Sequence, residues 1–300
     1  MHKCANLYIR PMKGACNSIE KNIAIVCNAM AGAGRAVALA EKILTELSNK
    51  QIPHSLFNES WPGDFNSFSD IWIVGGDGTL NYFFNHYKEI KLPLVIFKGG
   101  SGNDFHWLLY GEITIEEQLQ LALTATPKSI DLGRCNEKFF INGVGVGFEG
   151  EVARGLNGKN KKAGKASFMA MILMNIFSYR SKYYQLIIDN KSIASKKYMI
   201  IDVSNGSRAG GGFHIAPDAK ANDGFFDVVL IDALPPLKRL RWLPVIEKGQ
   251  HLTLPFIYHS LAKKIIIESN ELIQYHLDGE YYTSHKLEIE IMPGILLFRY

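Results

Sequence analysis

Cysteine is scarce in this chain. The four present among 300 residues, Cys4, Cys16, Cys27 and Cys135, form no CxxC pair and no regular spacing. That excludes a disulfide framework and a structural zinc site, and it points to a reduced, cytoplasmic protein. An excess of one charge is also lacking. Lys and Arg number 33 against 29 Asp and Glu, so the net +4 is too small for a nucleic-acid-binding surface, and no nucleic acid is expected as a partner. Long apolar runs are absent too. The longest, residues 168–177 (FMAMILMNIF), is interrupted by Asn175 and reaches about half of the roughly 20 residues a spanning helix needs. Basic residues near the N-terminus have no apolar run behind them, so no secretory signal is expected, and the first twenty residues read as a loosely held preamble.

What is there is a globular composition, 47% hydrophobic and 11% aromatic, in a length that allows two ordinary domains. Up to about residue 128 the chain alternates apolar strand-like runs (23–28, 71–74, 92–97) with helical stretches such as 35–47. That alternation predicts a parallel sheet covered by helices. From residue 129 to 300 short strands dominate: 130–132, 139–144, 183–188, 198–203, 225–231, 262–268, 274–277, 287–291 and 295–298. Helical material there is confined to about 150–180 and 236–249. The expected fold is an N-terminal α/β domain, 1–128, followed by a C-terminal β-sandwich-like domain, 129–300, whose last strand returns to the first. The active site is expected between them.

Each early strand ends in a glycine-rich turn, and in open α/β sheets ligands gather at such ends. The sharpest turn is Val74-Gly75-Gly76-Asp77-Gly78-Thr79-Leu80-Asn81, where glycines allow close backbone approach and a helix starts near Thr79. Amides at a helix start suit a phosphate. A carboxylate there makes sense if a divalent cation or a moving proton lies between it and the phosphates. Gly99-Gly100-Ser101-Gly102-Asn103-Asp104-Phe105 repeats the design one strand later, and Asn28-Ala29-Met30-Ala31-Gly32-Ala33-Gly34-Arg35 adds a third loop with a candidate phosphate clamp in Arg35.

GGDGTLN followed by GSGNDF resembles the catalytic domain of the diacylglycerol kinase family, which includes bacterial lipid kinases and sphingosine and ceramide kinases. The likeness continues through Asp131-Leu132-Gly133, Gly145 to Glu149, Gly210-Gly211-Gly212, Pro217-Asp218-Ala219, Asn222-Asp223-Gly224 and Leu277-Asp278-Gly279-Glu280, in family order over residues 23–298. It implies an NAD-kinase/diacylglycerol-kinase-like fold and ATP- and Mg²⁺-dependent phosphorylation of a lipid alcohol. It carries nucleotide contacts to Asn28, Gly32, Arg35, Gly75, Gly76, Asp77, Gly78, Thr79, Ser101 and Asn103. It carries reaction-centre carboxylates to Asp77, Asp104 and Asp131, and a general-base role to Glu280 with Asp278 beside it. A second, structural Mg²⁺ site is implied at Asp223 with the carbonyls of Lys220 and Phe225.

The chain departs from the family pattern in places. Ala29 and Lys98 stand where prolines are usual, Tyr82-Phe83 where Glu-Val is frequent, and Trp107 where many relatives have an arginine. NAD kinase, which shares GGDGT, and a non-catalytic nucleotide- or lipid-binding regulator are the alternative readings. Gly145 to Gly150 satisfies GxGxxG but lacks an acidic residue about 20 positions on, and residues 158–165 miss the P-loop spacing. Ser204 lies outside any nucleophile elbow. Lysines at 159–165 before the apolar run, and residues 237–243 (LKRLRWL), suit reversible contact with the inner membrane surface. Exposed strand edges in the second domain offer a route to a homodimer.

Overall fold

A computed structural model describes residues 21–157 and 164–300. The preamble, with Cys4 and Cys16, and the lysine loop at 159–163 lie outside the described residues.

In the first half β1 (Ile23–Cys27), β2 (His54–Phe57), β3 (Asp70–Gly75) and β4 (Leu94–Lys98) form a parallel sheet in the order β4-β3-β1-β2. The strands read as continuous apolar runs because both faces are covered. Ile25, Trp72, Val74, Val95 and Phe97 pack on one side with Ala36, Ala40, Ile43 and Leu47 of α1 (Arg35–Asn49) and Leu119 of α4 (Ile115–Thr124). Val26, Ile71, Ile73 and Ile96 pack on the other with Leu80, Phe83 and Phe84 of α2 (Asp77–His86) and Phe105 of α3 (Asp104–Tyr110). The short half-buried β2 escapes the sequence pattern because its alternation is weak.

The second half comprises β5 (Lys128–Cys135), β6 (Lys138–Phe140), β7 (Gly143–Gly147), α5 (Phe148–Leu156), α6 (Gly164–Ser178), β8 (Lys182–Ile188), β9 (Lys191–Ser204), β10 (Phe226–Asp232), α7 (Pro236–Glu247), β11 (Ile257–Ala262), β12 (Lys264–Leu277) and β13 (Glu280–Phe298). The expected strand at 139–144 is two strands, β6 and β7, separated by a turn at Ile141 and Asn142 whose amides bind a carboxylate. Conversely, 287–291 and 295–298 belong to the single strand β13, which passes an irregularity between Met292 and Leu296.

β13 joins the halves. It pairs antiparallel with β12 and β5, and its end pairs parallel with β4, Phe298 opposite Leu94. The sheet therefore runs unbroken as β11-β10-β9-β7-β12-β13-β4-β3-β1-β2. β8 pairs with the outer halves of β9 and β12 and closes a sandwich around Val144, Tyr184, Ile201, Phe226, Ile265 and Leu287. On the opposite face of β9 and β10 lie α5, α6 and α7, packed around Ile172, Ile176, Phe213, Val229 and Ile246.

Candidate active site

The three glycine loops pack against one another at the carboxyl ends of β1, β3 and β4. A Cβ on Gly100 would stand 2.4 Å from the Gly76 Cα, so the loops after β3 and β4 touch backbone to backbone. Gly32, at φ 59°, lies so close to the Gly99 carbonyl oxygen that a Cβ would reach 2.2 Å from it. Side chains then staple the loops. Asn28 Nδ2 donates to Thr79 Oγ1 at 2.9 Å. Arg35 donates to the carbonyls of Gly32 at 2.9 Å and Gly100 at 3.0 Å. Asn103, itself at φ 56°, accepts from the Gly100 amide at 2.8 Å and donates to its carbonyl at 3.0 Å. Of the expected nucleotide contacts, Asn28, Arg35 and Asn103 thus also build the loops, and Ser101 sits exposed at a loop tip.

Asp77 opens α2 and reaches across to the start of α3, accepting from the amides of Asp104 at 3.1 Å and Phe105 at 3.0 Å. Burial first, and the Asp104 carboxylate second, push its carboxyl above the usual range. Asp104 is buried and binds the second half of the molecule. Its Oδ1 accepts from Arg208 Nε at 3.2 Å and its Oδ2 from the Gly211 amide at 2.7 Å. The Arg208 guanidinium lies 4.3 Å from the centre of the Trp107 ring.

The hairpin between β12 and β13 faces α2. A Cβ on Gly78 would lie 3.3 Å from Glu280 Oε1, which puts the Glu280 carboxylate over the first turn of the helix that carries Asp77. Asp278 has another task. It accepts from the amides of Ile141, Asn142 and Gly143 at 2.9, 2.8 and 3.0 Å and from Asn81 Nδ2 at 3.0 Å, clamping the hairpin to α2 and to the turn before β7. Four donors hold this carboxylate in place, while burial raises its carboxyl above the usual range.

Asp131 and Asp223 both meet the loop that leads into β10. Asp131 accepts from the amides of Gly224 at 2.8 Å and Gly294 at 2.7 Å, so it pins the 217–224 loop and the irregularity of β13. Asp223 accepts from the Phe225 amide at 3.0 Å, the turn that starts β10. Asp223 thus shares a turn with Phe225, whose carbonyl is expected, with that of Lys220, to join it around a second Mg²⁺. No group of three or more His, Cys, Asp or Glu side chains converges on a metal position among the described residues.

Sequence reasoning passed over several buried polar residues. Asn205 Nδ2 donates to the carbonyls of Asp131 at 3.0 Å and Ile141 at 2.8 Å. Asp202 and His276 lie opposite Gly145 on either side of β7, and Glu149 of α5 faces His276 at 3.7 Å. Only Glu149 fell in a quoted motif, and Arg208 preceded one. Side chains that meet across a sheet leave no local pattern.

Glycine loops at parallel strand ends, paired carboxylates on two helix starts and a facing glutamate are the parts of a kinase site. The profile of the diacylglycerol kinase catalytic domain matches residues 22–135, and that of the YegS C-terminal NAD kinase beta sandwich-like domain matches residues 142–298. The chain belongs to this diacylglycerol kinase and YegS-type lipid kinase family. It is 27% identical over 234 residues to a "Probable lipid kinase YegS-like" of Shewanella frigidimarina, 76% of this chain and 75% of the relative. It is 26% identical over 233 residues to a diacylglycerol kinase of Mycobacterium tuberculosis, 75% of each chain. A crystal structure of a "putative diacylglycerol kinase" from Bacillus anthracis superposes with a TM-score of 0.77 at 25% identity over 98% of both chains. An Archaeoglobus fulgidus NAD kinase in complex with ATP shares the fold, with a TM-score of 0.54 at 14% identity over 93% of both.

Proposed function

We propose that this kinase transfers the γ-phosphoryl group of ATP to the hydroxyl of a diacylglycerol-like or other long-chain lipid alcohol. The observation that carries this reading is the Glu280 carboxylate above Gly78, where it faces the phosphate-binding start of α2. The amides of α2 and the glycine loops hold the phosphates. Asp77 and Asp104 together fit Mg²⁺, which is commonly bound by one or two carboxylates plus substrate phosphates. Bound there, the cation would neutralise charge on the transferring group. Glu280 takes the proton from the acceptor hydroxyl as its oxygen bonds to the γ-phosphorus, and the bond to the β-phosphate oxygen breaks to release ADP. Glycine-loop positioning supplies much of the acceleration. The reaction belongs at the cytoplasmic face of a membrane, where ATP is available.

The test is transfer of label from ATP and Mg²⁺ to mixed micelles of diacylglycerol, monoacylglycerol, phosphatidylglycerol, sphingosine or ceramide, with NAD as a parallel acceptor. We expect label in a lipid. Glu280→Gln should lower kcat by about 10²–10⁴-fold while ATP still binds, and Asp77→Asn should abolish transfer. Label in NAD would replace the acceptor, and ATP binding without any transfer would favour a regulator.

A further inference from the structure

The helix α6 is apolar on both sides. Met171, Ile172 and Ile176 face the core, while Ala166, Ala170, Leu173, Met174 and Phe177 form a second stripe, at helical spacing, that faces solvent. α7 adds Leu237 and Leu240. These five large side chains of the two helices are 43–75% exposed. The helices are locked together, because buried Arg239 of α7 donates to the carbonyls of Ile176 at 2.8 Å and Tyr179 at 2.9 Å at the end of α6.

The charged residues of the two helices are basic up to Glu247, the last residue of α7. Residues 164–183 and 233–246 contain no Asp or Glu. Arg180, Lys238 and Arg241 are exposed, and the Arg241 guanidinium lies 5.3 Å from the ring of half-buried Trp242. Apolar side chains ringed by Arg, Lys and Trp suit the boundary of a bilayer that contains anionic lipid. A second copy meeting the same face would oppose like charges. The surface also lies beside the site. Phe168 of α6 packs on Phe213 at 5.6 Å and fills the space over Gly210, and the neighbouring Gly211 amide binds Asp104.

We propose that the joined faces of α6 and α7 form a docking surface for anionic phospholipid bilayers and hold the cleft at the membrane, where a lipid acceptor resides. This adds a location to the kinase reading but stands on the surface alone, and its test needs no turnover.

The full chain, without ATP, is sedimented with vesicles of phosphatidylcholine or of phosphatidylcholine with phosphatidylglycerol. Strong binding to the anionic vesicles, weakened by salt, is expected. Met174→Ser with Phe177→Ser should lower that affinity at least about tenfold. Lys238→Gln with Arg241→Gln should remove most of the preference for the anionic vesicles. ATP binding should be unchanged in both variants, and Leu237→Ser serves if the first double variant does not fold. Absence of binding by the unaltered chain, or equal binding by the variants, would overturn the proposal. So would a dimer in solution that Met174→Ser with Phe177→Ser converts to a monomer, since the covering partner would then be another copy of the chain.

Discussion

Asp104 joins two regions that lie far apart in the chain. It begins α3 beside the glycine loop after β4, yet its partners Arg208 and Gly211 come from the loop after β9. The Trp107 ring lies against Arg208, whose guanidinium reaches Asp104 from that loop. Arg208→Met should leave the buried Asp104 carboxylate without its cation, at a cost of about 3–5 kcal/mol in stability. Arg208→Lys should recover part of that, because the charge returns without the planar fork that stacks on the ring. Thermal unfolding of both variants, beside ATP titration, checks the order. The sequence marks Asp104 and Trp107 but not their partner, since a pairing across 104 positions has no local period.

Among the elements, β9 carries a buried carboxylate that the reaction does not use. Asp202 accepts from Ser204 Oγ at 2.6 Å, and burial, with Glu149 second, raises its carboxyl well above the usual range. The folded state therefore holds a proton that the unfolded chain has released. Stability should fall as pH rises above the ordinary carboxylate pKa, by up to about 1.4 kcal/mol per unit until the raised value is passed. Asp202→Asn should flatten that slope, which denaturant midpoints measured over about pH 5–8 would reveal. The glycine loops were legible because each follows an apolar strand and precedes a helix. The extent of β12 and β13 was not, because exposed polar residues such as Glu271 and Thr283 break the apolar runs that strand reading depends on. The split between anchoring Asp278 and cleft-facing Glu280 was equally hidden, since two neighbouring acids look alike until their donors are known.

At the scale of the whole molecule, β13 makes the two halves one sheet. Beyond it Arg299 pairs with buried Asp70 and donates to the Ala125 carbonyl at 2.6 Å, while Tyr110 donates to the Arg299 carbonyl at 2.8 Å. Arg299→Ala should cost about 3–5 kcal/mol by stranding Asp70. Because the sheet is continuous, the loss should lower one shared unfolding transition, seen alike by tryptophan fluorescence and circular dichroism. Two separate transitions would mean that the halves unfold independently.

The crossing strand also shapes how the protein is made. The β4 edge emerges from the ribosome early, but Phe298, which pairs with it, follows about two hundred residues later. At translation speeds of about 5–20 residues per second, that edge waits for at least roughly ten seconds beside unfinished apolar surface. Such an edge invites mispairing with other nascent chains, so correct assembly depends on shielding it until synthesis has passed β13.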